Sequence, residues 1–170
     1  MKKLLSLGVA SILIVSPFIS SQSAFAADLN RKVTESYEIN WDDAWKNVDS
    51  LNTIEHFGSS NDPNSIGIYS YGNLASGSTS LGISSQGVTS TGKTTGKIIS
   101  TVTSATTSLR NSSQGYGGTG PKKTAIGKLT ATSEYTMSVV RGNVFTGLTV
   151  HTATNSGVLY ESGTSQSNVY

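Results

Sequence analysis

The chain contains no cysteine. That excludes disulfides, thiolate metal sites and lipid attachment through sulfur. Charge is also scarce: 13% of the 170 residues are Asp, Glu, Lys or Arg, and the formal net charge is +2. A chain so poor in charge is not a highly charged disordered polymer. It also lacks the basic excess that phosphate-facing nucleic-acid binders need, so no nucleic acid is expected as a partner. No HxH, HExxH or GxSxG pattern occurs, and there are two histidines, His56 and His151. Zinc ligation and the serine-hydrolase elbow therefore have no local signature, and no cofactor is expected.

The one long apolar run sits at the N-terminus. Lys2 and Lys3 precede an apolar stretch over residues 4–19, broken at Pro17, and Ala24-Phe25-Ala26 supplies a small-x-small pattern. This order reads as a secretory signal peptide over residues 1–26, cut after Ala26. The run is shorter than the ~20 residues of a spanning helix. The expectation is a secreted, extracellular chain of bacterial type, with residues 27–170 as one β-rich domain and no transmembrane segment.

Removing Lys2 and Lys3 leaves ten bases against ten acids, yet the charges are segregated. Residues 27–62 carry eight acids and three bases, net −5, whereas residues 63–170 carry two acids and seven bases, net +5. Such halves either pack within one molecule or pair between molecules, so self-association is one expectation.

Two periodicities meet in the acidic part. Val33, Glu35, Tyr37, Ile39 and Trp41 alternate as one face of a strand. Trp41, Ala44, Trp45, Val48 and Leu51 then recur at helical spacing, with Asn40 as cap and Asp42 and Asp43 in the first turn. Residues 76–120 are rich in Ser, Thr and Gly. Twenty of the 38 residues from 76 to 113 are Ser or Thr, and none is acidic. Residues 97–109 read as one thinly hydrophobic strand. Residues 124–161 read as a β-meander, with strands over 124–131, 134–141, 144–154 and 158–161, and turns at Arg141-Gly142-Asn143 and Asn155-Ser156-Gly157. The fold class that follows is mainly β: an antiparallel β-sandwich or open barrel with one short N-terminal helix and a Ser/Thr/Gly-rich middle region.

Several patterns imitate chemistry. Gly87 to Thr94 matches GxxxxGK[ST], but neither a buried strand before it nor a helix after it is legible, so a Gly/Thr-rich loop is expected. Gly115 to Gly120 matches GxGxxG, but Pro121 follows, and a loop is again expected. Gly72, Gly77, Gly82, Gly87 and Gly92 recur every five residues, a spacing that keeps no single face in a helix or strand. His151, opposite Val150 in the alternation, is expected to face solvent, and His56 to end the helix. Asn61, Asp62 and Asn64 offer oxygen ligands, but their composition is that of a turn.

Tyr37, Trp41 and Trp45 form the largest aromatic group. Exposed, they are the candidate surface or ligand contacts; at their spacing, burial as core is the stronger expectation. No catalytic or metal residues stand out. The functional expectation is a non-enzymatic secreted protein that binds an extracellular or cell-surface ligand, or serves structurally at the cell surface or matrix. A membrane-active toxin or antibacterial factor is the alternative, and a secreted hydrolase using His56 or His151 the second.

Overall fold

The structure is a computed structural model that describes residues 31–33, 38–59 and 71–170. The expected signal segment, Tyr37 and the Asn61/Asp62/Asn64 turn lie outside the described residues. Two antiparallel sheets face each other as a sandwich, with a short helical layer against the outside of one of them.

The six-stranded sheet has the order β1 (Arg31–Val33), β10 (Val158–Val169), β9 (Val144–Asn155), β5 (Val102–Asn111) and β6 (Tyr116–Thr119). Strand β7 (Lys123–Ile126) pairs with the same edge of β5, from Val102 to Ala105, while β6 pairs with Ser108 to Asn111. Pro121, which has no backbone N–H to give the ladder, lies in the break between them. The four-stranded sheet has the order β2 (Ile54–Ser59), β3 (Tyr71–Ser84), β4 (Gly87–Gly96) and β8 (Thr130–Met137).

The helix begins where local chemistry places it. Helix α1 (Trp41–Lys46) is capped by Asn40, whose Oδ1 accepts from the Asp43 backbone N–H at 3.2 Å, a cap worth about 1 kcal/mol. A 3₁₀ turn, Val48–Ser50, follows in place of a second α-helical turn. Ile39, Trp41, Trp45, Val48 and Leu51 surround Ala44, Leu148 and Val150. The apolar alternation of β9 therefore marks the face that the helical layer covers, on the outside of the sandwich. The chain then passes to the other sheet: Ser165 N–H donates to the Asn52 carbonyl, and Thr79 N–H to the Thr53 carbonyl.

Residues of the opposite parity on β9 face the other sheet, and they run Phe145, Gly147, Thr149, His151, Ala153. This sequence sets the layering of the interior. Phe145, Val88 and Leu109 form an apolar cluster near one end, and Ala153, Phe57, Leu74, Ala75 and Tyr160 form another near the opposite end. Between them lies a buried band of hydroxyls around His151. Glycines let the sheets meet there: a Cβ at Gly77 would lie 2.4 Å from the His151 ring, and one at Gly92 would lie 2.3 Å from Thr149.

Several local expectations are corrected. Strand β5 begins at Val102, with residues 97–101 forming a turn before it, and β10 extends to Val169. The Arg141-Gly142-Asn143 link does not close a hairpin, because β8 and β9 belong to different sheets and the link crosses between them. The Asn155-Ser156-Gly157 link does close one, with Ser156 at φ 52° and Gly157 at φ 76°, as a two-residue hairpin turn needs. The GxxxxGK[ST] stretch is strand β4, paired on both sides, so its backbone N–H groups are committed to ladders and cradle no phosphate. The GxGxxG stretch is largely strand β6, paired to β5.

Candidate functional site

A cleft of about 410 Å³ opens where the helical layer meets the six-stranded sheet. Trp45, Val48 and Asp49 come from α1 and the 3₁₀ turn; Arg110, Asn111, Ser112 and Gly115 come from the end of β5 and its turn; Val144, Thr146 and Ser167 come from β9 and β10. Register explains the convergence. Thr146 pairs with Arg110 on one side and with Ser167 on the other, so three adjacent strands put these side chains on the outer face together.

The Arg110 Cζ lies 4.2 Å from the centroid of the Trp45 ring, a cation–π stack. Among the described residues the guanidinium has no hydrogen-bond or ion-pair partner, so its N–H edge is available to the cleft. A row of hydroxyls crosses the strands beside it. Ser112 Oγ and Thr146 Oγ1 are hydrogen-bonded at 2.8 Å, and Thr146 Oγ1 and Ser167 Oγ at 2.9 Å. Two of the three protons are used inside the row, leaving one donor and several lone pairs for another molecule. The turn above is braced by Asn111, whose Oδ1 accepts from Gln114 N–H at 3.2 Å and from Asn143 Nδ2 at 3.3 Å.

Of the residues singled out in sequence, Trp45 lines this cleft, while Trp41 packs on the cluster beneath the helix without lining it. Both are half-buried. Arg110 carries no sequence motif. Its one signal is that it is the sole charged residue of β5, set among Ser, Thr and Ala.

The histidines lie elsewhere. His151 does not face solvent as its alternation suggested; it is fully buried between the sheets. Its Nδ1 is 2.8 Å from Thr94 Oγ1 and its Nε2 is 2.7 Å from Thr164 Oγ1, so the neutral ring donates to one hydroxyl and accepts from the other. Thr164 continues to Thr79 at 2.6 Å, Thr79 to Thr149 at 2.8 Å, Thr149 to Thr107 at 3.1 Å and Thr107 to Ser90 at 2.8 Å. The chain of contacts joins strands of both sheets. Burial lowers the His151 pKa from 6.5 to about 3. His56 is not a helix-terminal residue but an exposed member of β2, with Lys97 Nζ 3.2 Å from its Nδ1. Among the described residues, no carboxylate hydrogen-bonds either ring. Among the described residues, no three His, Asp or Glu side chains cluster as metal ligands, and no helix is long and apolar enough to cross a membrane.

No protein-family model, curated protein or solved structure matches the chain.

Proposed function

We propose that this is a non-enzymatic extracellular binding protein whose cleft takes an acidic saccharide of a cell surface or matrix. The observation that carries the reading is Arg110, stacked on Trp45 at the wall of the cleft, with its donors unpaired among the described residues. A guanidinium seated over an indole still has N–H groups to offer a carboxylate, and a charge-assisted pair of that kind is stronger than a neutral hydrogen bond. The Ser112–Thr146–Ser167 row offers partners to sugar hydroxyls, and Val48 with the edge of Trp45 offers apolar surface to ring C–H groups. An acidic sugar has all three kinds of group; a purely apolar ligand would leave Arg110 and the row unsatisfied. The N-terminal segment, read as an export signal, supports the extracellular setting.

Titration calorimetry with galacturonate oligosaccharides, and with neutral malto-oligosaccharides as the comparison, tests this. The acidic series binds and the neutral series does not. Arg110→Gln lowers affinity by roughly tenfold to a hundredfold, the effect of losing one charged hydrogen-bonding group. Equal binding of both series, or an Arg110→Gln variant with unchanged affinity, contradicts the proposal.

A further inference from the structure

The end of the sandwich away from the cleft carries a second surface. Ile99 is 76% exposed, Leu129 68%, Ile126 67% and Val102 44%. Backbone pairing holds the four together. Val102 and Ile126 are cross-strand partners, Gly127 N–H donates to the Thr101 carbonyl at 2.7 Å, and Gly96 N–H donates to the Leu129 carbonyl at 3.4 Å. Two turns, before β5 and after β7, thus bring these aliphatic residues to one end of the sheet. Single exposed aliphatics are ordinary, but four gathered at one end of the fold call for a partner.

The charge in these two turns is of one sign. Lys97 and Lys128 flank Ile99 and Leu129 in the same two turns, and Lys122 and Lys123 lie at the start of β7. Lys122, Lys123 and Lys128 make no hydrogen bond or ion pair among the described residues. No Asp or Glu occurs anywhere from residue 63 to residue 133. We propose that this end of the sandwich docks on the surface of an anionic lipid bilayer, with Ile99, Ile126 and Leu129 entering the interface and the lysines facing the headgroups. Aliphatic tips beside the unpaired Lys122, Lys123 and Lys128 match a surface that is apolar below and negative above. A second copy of the chain meeting through this patch would bring like charges together, which argues against self-pairing there.

The patch is separate from the cleft. Val102 and Arg110 are eight residues apart on β5, about 26 Å at the rise of an extended strand. A molecule held by its aliphatic end would therefore present the cleft away from the bilayer.

Co-sedimentation with vesicles decides the matter. The protein binds vesicles of equimolar phosphatidylcholine and phosphatidylglycerol at least about tenfold more strongly than phosphatidylcholine alone, and added salt weakens the binding. The double variant Ile99→Ser/Leu129→Ser and the triple variant Lys122→Gln/Lys123→Gln/Lys128→Gln each lose at least about tenfold in affinity for the anionic vesicles, with melting temperatures close to that of the parent because all five side chains are exposed. Arg110→Gln binds the vesicles as the parent does, which separates this surface from the cleft. No binding to anionic vesicles, or equal binding by the parent and both multiple variants, overturns the proposal. So does concentration-dependent dimerisation that the aliphatic variant abolishes without any vesicle binding, because the patch would then be a contact between copies.

Discussion

Acidification from pH 6.5 to pH 5 should remove roughly 2 kcal/mol of folding stability through His151 alone. The sign follows from where its proton binds. In the unfolded chain the imidazole titrates near its ordinary 6.5; in the fold, burial lowers that to about 3. Between those values the unfolded state takes up a proton that the native state refuses. Stability is therefore full above about pH 6.5 and falls by about 1.4 kcal/mol per unit as the pH drops toward 3. Urea unfolding across this range measures the slope. His151→Gln keeps a donor and an acceptor but has no proton to bind. It should be less stable at neutral pH, by about 1–3 kcal/mol for the disturbed hydrogen bonds to Thr94 and Thr164, and nearly flat from pH 6.5 to pH 5. The same slope in parent and variant would show that His151 is not held neutral.

A methyl group at position 77 should be costlier than its size suggests. The Cβ of Gly77→Ala would sit 2.4 Å from the His151 ring, and that ring is pinned at both nitrogens by Thr94 and Thr164. It cannot swing aside without breaking a buried hydrogen bond, so the sheets must part locally. The expected loss is about 2–4 kcal/mol, the range of overpacking plus a strained polar contact, or a fall of roughly 5–15 °C in Tm. Gly82→Ala is the matched control on the same strand, because a Cβ there meets nothing within 4 Å. That substitution should be neutral or slightly stabilising, since it removes freedom from the unfolded chain. Equal effects at positions 77 and 82 in thermal unfolding would mean that the sheets are not in close apposition at His151.

These two positions also explain what could and could not be read in the sequence. The cap at Asn40 was legible because its chemistry is local: one side chain answers a backbone group three residues away. Strand β9 was legible through its alternation, but the face it advertised, Leu148 and Val150, belongs to the helical layer. The inward face reads Gly147, Thr149, His151, and hydrophobicity assigns such residues to solvent. The same inversion hid β3 and β4, whose inward positions include Gly77, Thr79, Ser90, Gly92 and Thr94. Hydroxyls count as polar in any pattern, yet here they satisfy one another across the sandwich and can be buried. The five-residue glycine spacing dissolves for a related reason. Gly77 and Gly92 admit side chains from the facing sheet, whereas nothing approaches Gly82 and Gly87 borders the β3–β4 turn, so the shared interval has no shared cause. The cleft was half-visible. Trp45 stood out by its type, but Arg110 joined it only through a register that three strands set between residues 110, 146 and 167.

The segregated charge of the sequence gains a spatial meaning in the same frame. Asp42, Asp43 and Asp49 ride on the helical layer, and Lys46 Nζ bonds Asp43 Oδ1 at 3.1 Å within α1 itself. Lys122, Lys123 and Lys128, at the opposite reach of the same sheet, make no ion pair among the described residues. Among the described residues, no ion pair joins these two groups.

The most direct test of the binding account is the indole N–H region of the NMR spectrum during titration with trigalacturonate. The chain has two tryptophans, and only Trp45 lines the cleft. The account predicts that the Trp45 indole and the Arg110 Nε–H resonances shift together and saturate, that Trp41 moves less, and that maltotriose produces no such shift. Unmoved Trp45 and Arg110 signals at saturating trigalacturonate, or the same shifts with maltotriose, would contradict it.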